Sequence, residues 1–147
     1  MWPSSKSGVW PLGKGLSPKE FALDLKKFGE VNEKQARMIF RKIIIDLDSA
    51  VVLSTPVDTG RARGNWFPSL TSPSNAVGDS VDKSGGNALG RIDGVAGSAD
   101  VGDVAWLTNN LPYILVLENG SSKQAPQGMV DINLNRVAAQ FGGTISR

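Results

Sequence analysis

The sequence predicts an α+β fold in which long N-terminal helices pack on a small, mostly antiparallel sheet and a further helix lies near the C-terminus. Two amphipathic segments occupy the first part of the chain, short strand-like segments follow between turns rich in Gly and Pro, and another amphipathic segment comes last. A length of 147 residues fits one domain. We expect residues 1–16 to form an extended arm and residues 17–147 to form that single domain.

The arm, residues 1–16, combines Pro and Gly with Trp2 and Trp10 and shows neither a helical nor a strand period. A disordered tail is the alternative interpretation. Because each indole can bury a large apolar area, leaving both in water is unfavourable. We therefore favour an arm that docks on a neighbouring copy of the chain.

A short first helix is predicted between Ser17 and Gly29. Ser17 can accept a hydrogen bond from the third helical amide, Glu20 can reach back, and Pro18 suits the first helical position. Gly29 is suited to end the helix. Apolar residues at spacings of four and three then form one stripe, which consists of Phe21, Leu25 and Phe28.

A longer second helix is predicted from Glu33 to Ser54, where apolar residues recur every three or four positions. Thr55 precedes Pro56 and is therefore disfavoured in helical geometry, which ends the helix there. About twenty helical residues span roughly 30 Å, the diameter of a domain of this size. The apolar face comprises Ala36, Ile39, Phe40, Ile43, Ile44, Leu47, Ala50 and Val51.

The segment after this helix reads as a turn followed by a strand. Asp58 can bond backbone amides and Gly60 permits positive φ, so residues 58–60 are predicted to turn. Arg61 and Arg63 then alternate with small residues up to Trp66, which predicts a strand with one basic face.

The second half of the chain is predicted to alternate loops with short elements. A polar loop over 71–83 precedes a weak helix over 87–99 and a strand over 101–108. Residues 113–117 form an apolar run that fits strand and helix equally. A polar loop over 121–127 leads to a last amphipathic helix over 129–141.

The composition excludes several kinds of chemistry. The chain has no Cys and no His, so it has no disulfide, no thiolate nucleophile and no histidine base. The segment from Gly8 to Gly15 is close to a phosphate-binding loop, but Gly15 stands where Ser or Thr should hold magnesium. No cofactor is expected. Without a long apolar stretch or a secretion-type N-terminal pattern, synthesis and use in a cytoplasm is the expectation.

Glu118 follows five apolar residues, and burying it would require a partner for its charge. Arg61 and Arg63 are the candidates, since a guanidinium can bind a carboxylate through two parallel bonds. We expect an ion pair that joins the two segments; a role at a subunit interface is the alternative. The loop containing Lys123, Gln124 and Pro126 is expected to have a defined shape and to contact partners.

Two long segments resemble the tail-completion (neck) proteins of long-tailed bacteriophages, the group that includes minor tail protein Z. The first matches Pro56-Val57-Asp58-Thr59-Gly60-Arg61-x-Arg63, followed by Trp66. The second matches the run from Asn109 to Tyr113, Leu117-Glu118, the run from Gly120 to Pro126, and Gly128 to Val130. The resemblance spans roughly residues 31–141. Asn119 and Asp131 depart from it, and the arm lies outside it.

The resemblance implies a structural virion protein rather than an enzyme, located in the tail or neck and assembled in the host cytoplasm. Such proteins form a homo-oligomeric ring, here expected to have six copies, that helps to join tail to head. The implied partners are head-closure or connector proteins and tail-terminator or tail-tube proteins, with DNA passing non-specifically through the lumen and no membrane contact. A near-neutral chain is consistent with DNA sliding through.

Closing such a ring requires two different complementary surfaces on each subunit. The candidates are the Arg61/Arg63 face, the loop over 121–127 and the arm bearing Trp2 and Trp10. A tail terminator that caps the tube is the alternative within this class. A small metal-dependent hydrolase and a host-interaction or nucleic-acid-binding module are the alternatives from other classes.

Overall fold

The structure is a computed structural model that describes residues 9–11, 33–79 and 81–141. It confirms the α+β class, with helices packed around a small antiparallel sheet. The expected first helix over 17–29, the arm over 1–16 apart from the backbone of 9–11, and the side chains of Trp2 and Trp10 lie outside the described part of the chain.

The first described helix, α1 (Glu33–Ser54), forms the centre of the core and confirms the helix expected there. Its apolar face is buried against the other elements, as the three-and-four spacing predicted. That face also buries a carboxylate, Asp48, among aliphatic neighbours. The buried residues of α1 are Ala36, Phe40, Ile43, Ile44, Leu47, Asp48, Val51 and Val52.

The sheet has three short strands, β1 (Val9–Pro11), β2 (Phe67–Ser69) and β3 (Trp106–Thr108). Their order is β1-β3-β2, and both pairings are antiparallel. Thr108 lies opposite Val9 on one side and Phe67 on the other. Of the residues 101–108 that were expected to form a strand, only the last three do so, as β3.

The strand predicted from Arg61 is wrong, because Arg61–Gly64 is one helical turn, α2. Gly60 precedes it with φ 93°, which confirms the predicted turn and accounts for the change of direction. The amide of Gly64 donates to the carbonyl of Gly60 at 3.0 Å. A Cβ on Gly60 would collide with the backbone of Asp82 and Lys83. An alternation of six residues is too short to distinguish a strand from one helical turn.

Three further helices complete the fold: α3 (Gly86–Ser98), α4 (Ile114–Glu118) and α5 (Val130–Gln140). The weak helix expected over 87–99 and the last amphipathic helix are confirmed. The ambiguous apolar run forms α4. Both α3 and α5 pack against α1, and α3 also contacts β2. Within the described ranges, no helix combines the length and apolarity needed to span a membrane.

Candidate functional site

The two segments of the resemblance meet at an open cleft of about 530 Å³. One wall is the chain from Pro56 to Ala62, which links α1 to α2. The other wall contains Tyr113 and Leu117 of α4 and the loop residues Ser122 and Gln124. Asp58 and Tyr113 are exposed on the rim, and neither side chain makes a hydrogen bond within the described part of the chain.

Amide side chains join the two walls. The side chain of Gln124 accepts from the backbone N–H of Val57 at 2.9 Å and donates to its carbonyl at 3.0 Å. Asn109, which is buried, donates to the carbonyl of Ala62 at 3.0 Å. The segments are thus held together by neutral hydrogen bonds to backbone groups rather than by the expected ion pair.

Glu118 is buried, with 5% of its surface exposed, but its expected pairing with Arg61 or Arg63 is wrong. Its Oε1 accepts from the amides of Met129 at 2.8 Å and Val130 at 2.9 Å. Its Oε2 accepts from the amide of Asp131 at 3.2 Å. Free amides at a helix N-terminus favour a negative charge, so Glu118 caps α5 from outside that helix.

The environment of Glu118 pulls its pKa in two directions. Burial raises the pKa more than the hydrogen bonds from Val130, Met129 and Asp131 lower it. The close approach depends on Gly128, which has φ 79°. A Cβ at that position would collide with the backbone oxygen and the carboxyl group of Glu118. Any other residue at 128 would therefore displace the cap.

Arg63 caps the C-terminus of a helix, whereas Glu118 caps an N-terminus. Its guanidinium donates to the carbonyls of Leu53 at 2.9 Å and Thr55 at 3.0 Å, at the C-terminus of α1. It also donates to the carbonyl of Lys83 at 2.8 Å. A cation near a helix C-terminus satisfies free carbonyls and opposes the helix dipole.

Arg61 is directed elsewhere, so the expected shared basic face is also wrong. Its guanidinium contacts the carbonyl of Gly78 and the carboxylate of Asp79, both at 3.4 Å. The side chain of Asp79 is fully exposed, which makes this ion pair a weak one.

Trp66 is a core residue with no exposed surface. Its indole N–H donates to Thr55 Oγ1 at 2.8 Å, and that hydroxyl donates to the carbonyl of Val51 at 2.7 Å. This bond therefore ties the chain just after α2 to the C-terminus of α1, and it satisfies the buried indole N–H.

The loop over 121–127 is held in a set shape by backbone turns. The amide of Ala125 donates to the carbonyl of Ser122 at 3.1 Å, and the amide of Gly128 donates to that of Ala125 at 3.0 Å. Ala125 is buried, whereas Lys123 and Pro126 are exposed. The loop thus presents these two side chains outwards, and its role in contacts with partners stays a prediction.

Several structural residues were missed from the sequence. Asp82 accepts from the amides of Asn87 at 3.0 Å and Ala88 at 3.2 Å at the start of α3. Arg91 donates to the carbonyls of Gly64 and Trp66 at 2.7 and 2.9 Å. An Asp shortly before a helix is a cap signal, whereas nothing local to Arg91 indicates its distant partners.

The acidic residues of the described ranges contain no group of three or more that could hold a metal ion. Comparison with protein-family models, with curated proteins and with solved structures finds no match to this chain.

Proposed function

We propose that this chain is a structural protein of a long-tailed bacteriophage virion, a ring-forming tail-completion protein at the neck that helps to join the tail to the head around the DNA channel. The proposal rests on the resemblance of two separate segments to that family. The observation that supports it best is that both segments fold into one unit, joined by Gln124 and Asn109 around a single cleft.

The side chains of this unit divide into two groups. Glu118, Arg63 and Trp66 are directed inwards and hold helices in place. Asp58 and Tyr113 are exposed on the cleft rim, and their side chains make no hydrogen bond to any described residue. In a ring built by head-to-tail contacts, the rim would supply one of the two complementary surfaces.

The experiment is an amber mutation in the reading frame of this chain, in the phage that encodes it. We expect electron micrographs of non-permissive lysates to show filled heads and separate tails of normal length. The wild-type chain supplied from a plasmid should restore joined particles. Tails of irregular excess length would instead identify a tail terminator, and normal infectious particles would overturn the proposal.

Variants supplied from the same plasmid test the cleft rim. We expect Asp58→Ala combined with Tyr113→Ala to fold but to restore few joined particles. The matched control is Asn135→Ala, since Asn135 is exposed on α5, away from the residues that line the cleft. Equal rescue by both variants would show that the rim makes no essential contact.

A further inference from the structure

The segment from Ser74 to Asp79 is hydrogen-bonded at every second residue. Asn110 Nδ2 donates to the carbonyls of Ser74 at 2.8 Å and Ala76 at 3.2 Å. Asn65 accepts from the amide of Gly78 at 2.8 Å and donates to its carbonyl at 3.0 Å. Two side-chain amides therefore occupy the place that a neighbouring strand would take along one edge of this segment.

The residues between these positions differ in both bonding and exposure. Asn75 and Val77 have no hydrogen bond to another part of the described chain through their backbone groups. Both are exposed, Val77 by 55%, whereas Ser74, Ala76 and Gly78 are only partly exposed. In an extended strand, the N–H and C=O of successive residues point to opposite edges and successive side chains to opposite faces. Among the described residues, none pairs with the outer edge of this segment.

An edge of this kind specifies its partner, because a row of free N–H and C=O groups is matched best by another extended backbone. We propose that residues 1–8 of a second copy of this chain pair with the outer edge at Asn75 and Val77. The inference rests on the proposed ring and assigns one of its subunit contacts.

Three features of residues 1–8 favour this occupant. They continue from β1, which is already paired as a strand. In extended geometry, eight residues would reach about 26 Å. Trp2 in this segment would supply an apolar side chain to cover the exposed Val77.

Disulfide trapping tests the contact directly, because the natural chain contains no cysteine. The amber phage would be complemented with an equal mixture of two chains, one carrying Asn75→Cys and the other Ser5→Cys. Purified particles would be oxidised, and mass spectrometry would search for the peptide that joins positions 5 and 75. Only contacts between copies can give this peptide in the mixture. The background control pairs Asn135→Cys with Ser5→Cys.

Val77→Pro tests whether main-chain pairing is responsible. The Val77 N–H has no partner in the described chain, and the residue before a proline favours extended geometry, so the internal bonds of the segment are kept. In the Asn75→Cys chain we expect Val77→Pro to lower the trapped yield about tenfold, the effect of losing roughly one hydrogen bond. Val77→Thr, which keeps the N–H, should leave it unchanged.

The outcomes separate this inference from the proposed function. The 5–75 peptide in the mixture, lost with Val77→Pro, supports the contact. The protein present in particles without that peptide overturns the contact and leaves the proposed function standing. Absence of the protein from particles overturns both.

Discussion

Arg63 in the first segment and Glu118 in the second each bind a helix end, whereas the sequence predicts an ion pair between Glu118 and Arg61 or Arg63. Arg63 donates to carbonyls at the C-terminus of α1, and Glu118 accepts from amides at the N-terminus of α5. The two ends carry opposite partial charges, so each side chain finds its counter-charge in the backbone. A buried charge therefore need not imply an oppositely charged side chain beside it.

The largest expected effect comes from removing the acid. Glu118→Ala removes the acceptor of two buried amides, those of Met129 and Val130, and of the partly buried amide of Asp131, and we expect the free energy of unfolding to fall by about 3 kcal/mol. Glu118→Gln keeps one acceptor oxygen and should cost about half as much. Urea titration followed by circular dichroism measures both. Equal stability of Glu118→Ala and the wild-type protein would contradict the capping role.

Removing the base should have a smaller effect, because Arg63 is only partly buried. We expect Arg63→Met to lower the free energy of unfolding by about 2 kcal/mol, since the carbonyls of Leu53 and Thr55 lose a charged donor. The matched control is Arg61→Met, which removes the exposed ion pair between Arg61 and Asp79. This change should lower the free energy of unfolding by less than about 0.5 kcal/mol. The same titration compares them, and equal losses would show that the helix end is not what Arg63 stabilises.

Asp48 is a buried acid with no helix end to bind, and 3% of its surface is exposed. Burial raises the pKa of Asp48 well above its usual value. Asp48→Asn removes the charge that burial penalises, so at neutral pH we expect the free energy of unfolding to rise by about 1–2 kcal/mol. The control, Asp46→Asn, removes an acid that is paired with Lys42 near the surface and should give no gain.

The raised pKa of Asp48 fixes the direction in which the free energy of unfolding changes with pH. Below the ordinary aspartate pKa both the folded and the unfolded chain are protonated, and the penalty is absent. As pH rises through that value, the unfolded chain loses its proton first, so stability falls until the raised folded pKa is passed. Unfolding curves of wild type and Asp48→Asn should therefore converge at acidic pH. A gain for Asp48→Asn that is the same at every pH would contradict this account.

The smallest expected effect is the coupling energy between Arg63 and Glu118, and it tests most directly whether the two side chains act separately. If Arg63 and Glu118 act on separate helix ends, the losses from Arg63→Met and Glu118→Gln should add to within about 0.5 kcal/mol in the double variant. A direct ion pair would make the second loss much smaller than the first. A double-mutant cycle measured by urea titration decides between the two.

The sequence predicts best those parts of the fold in which the spacing of apolar residues repeats over many residues. The spacing that identifies α1 repeats over 22 residues and leaves no alternative. Arg61–Gly64 has four residues, and its two arginines fit either a strand face or a helical turn. The left-handed φ of Gly60 is compatible with either structure after it, so it does not distinguish them.

The site was predictable in its location but not in its contacts. The expected ion pair between Glu118 and Arg61 or Arg63 predicted that the two segments meet, and they do meet, although through other contacts. The partner of Glu118 was not predictable, because its reach to the start of α5 depends on the backbone path through Gly120 and Gly128. Likewise, nothing near Gln124 in the sequence indicates a bond to Val57, 67 residues away.

Met129 gives α5 no side-chain cap of its own, so the first turn of this helix is satisfied only when Glu118 is already in place. An isolated helix of 11 residues is marginal in water. We therefore expect the loop, Glu118 and α5 to become ordered together, and α4 and α5 to lose their protection against hydrogen exchange together.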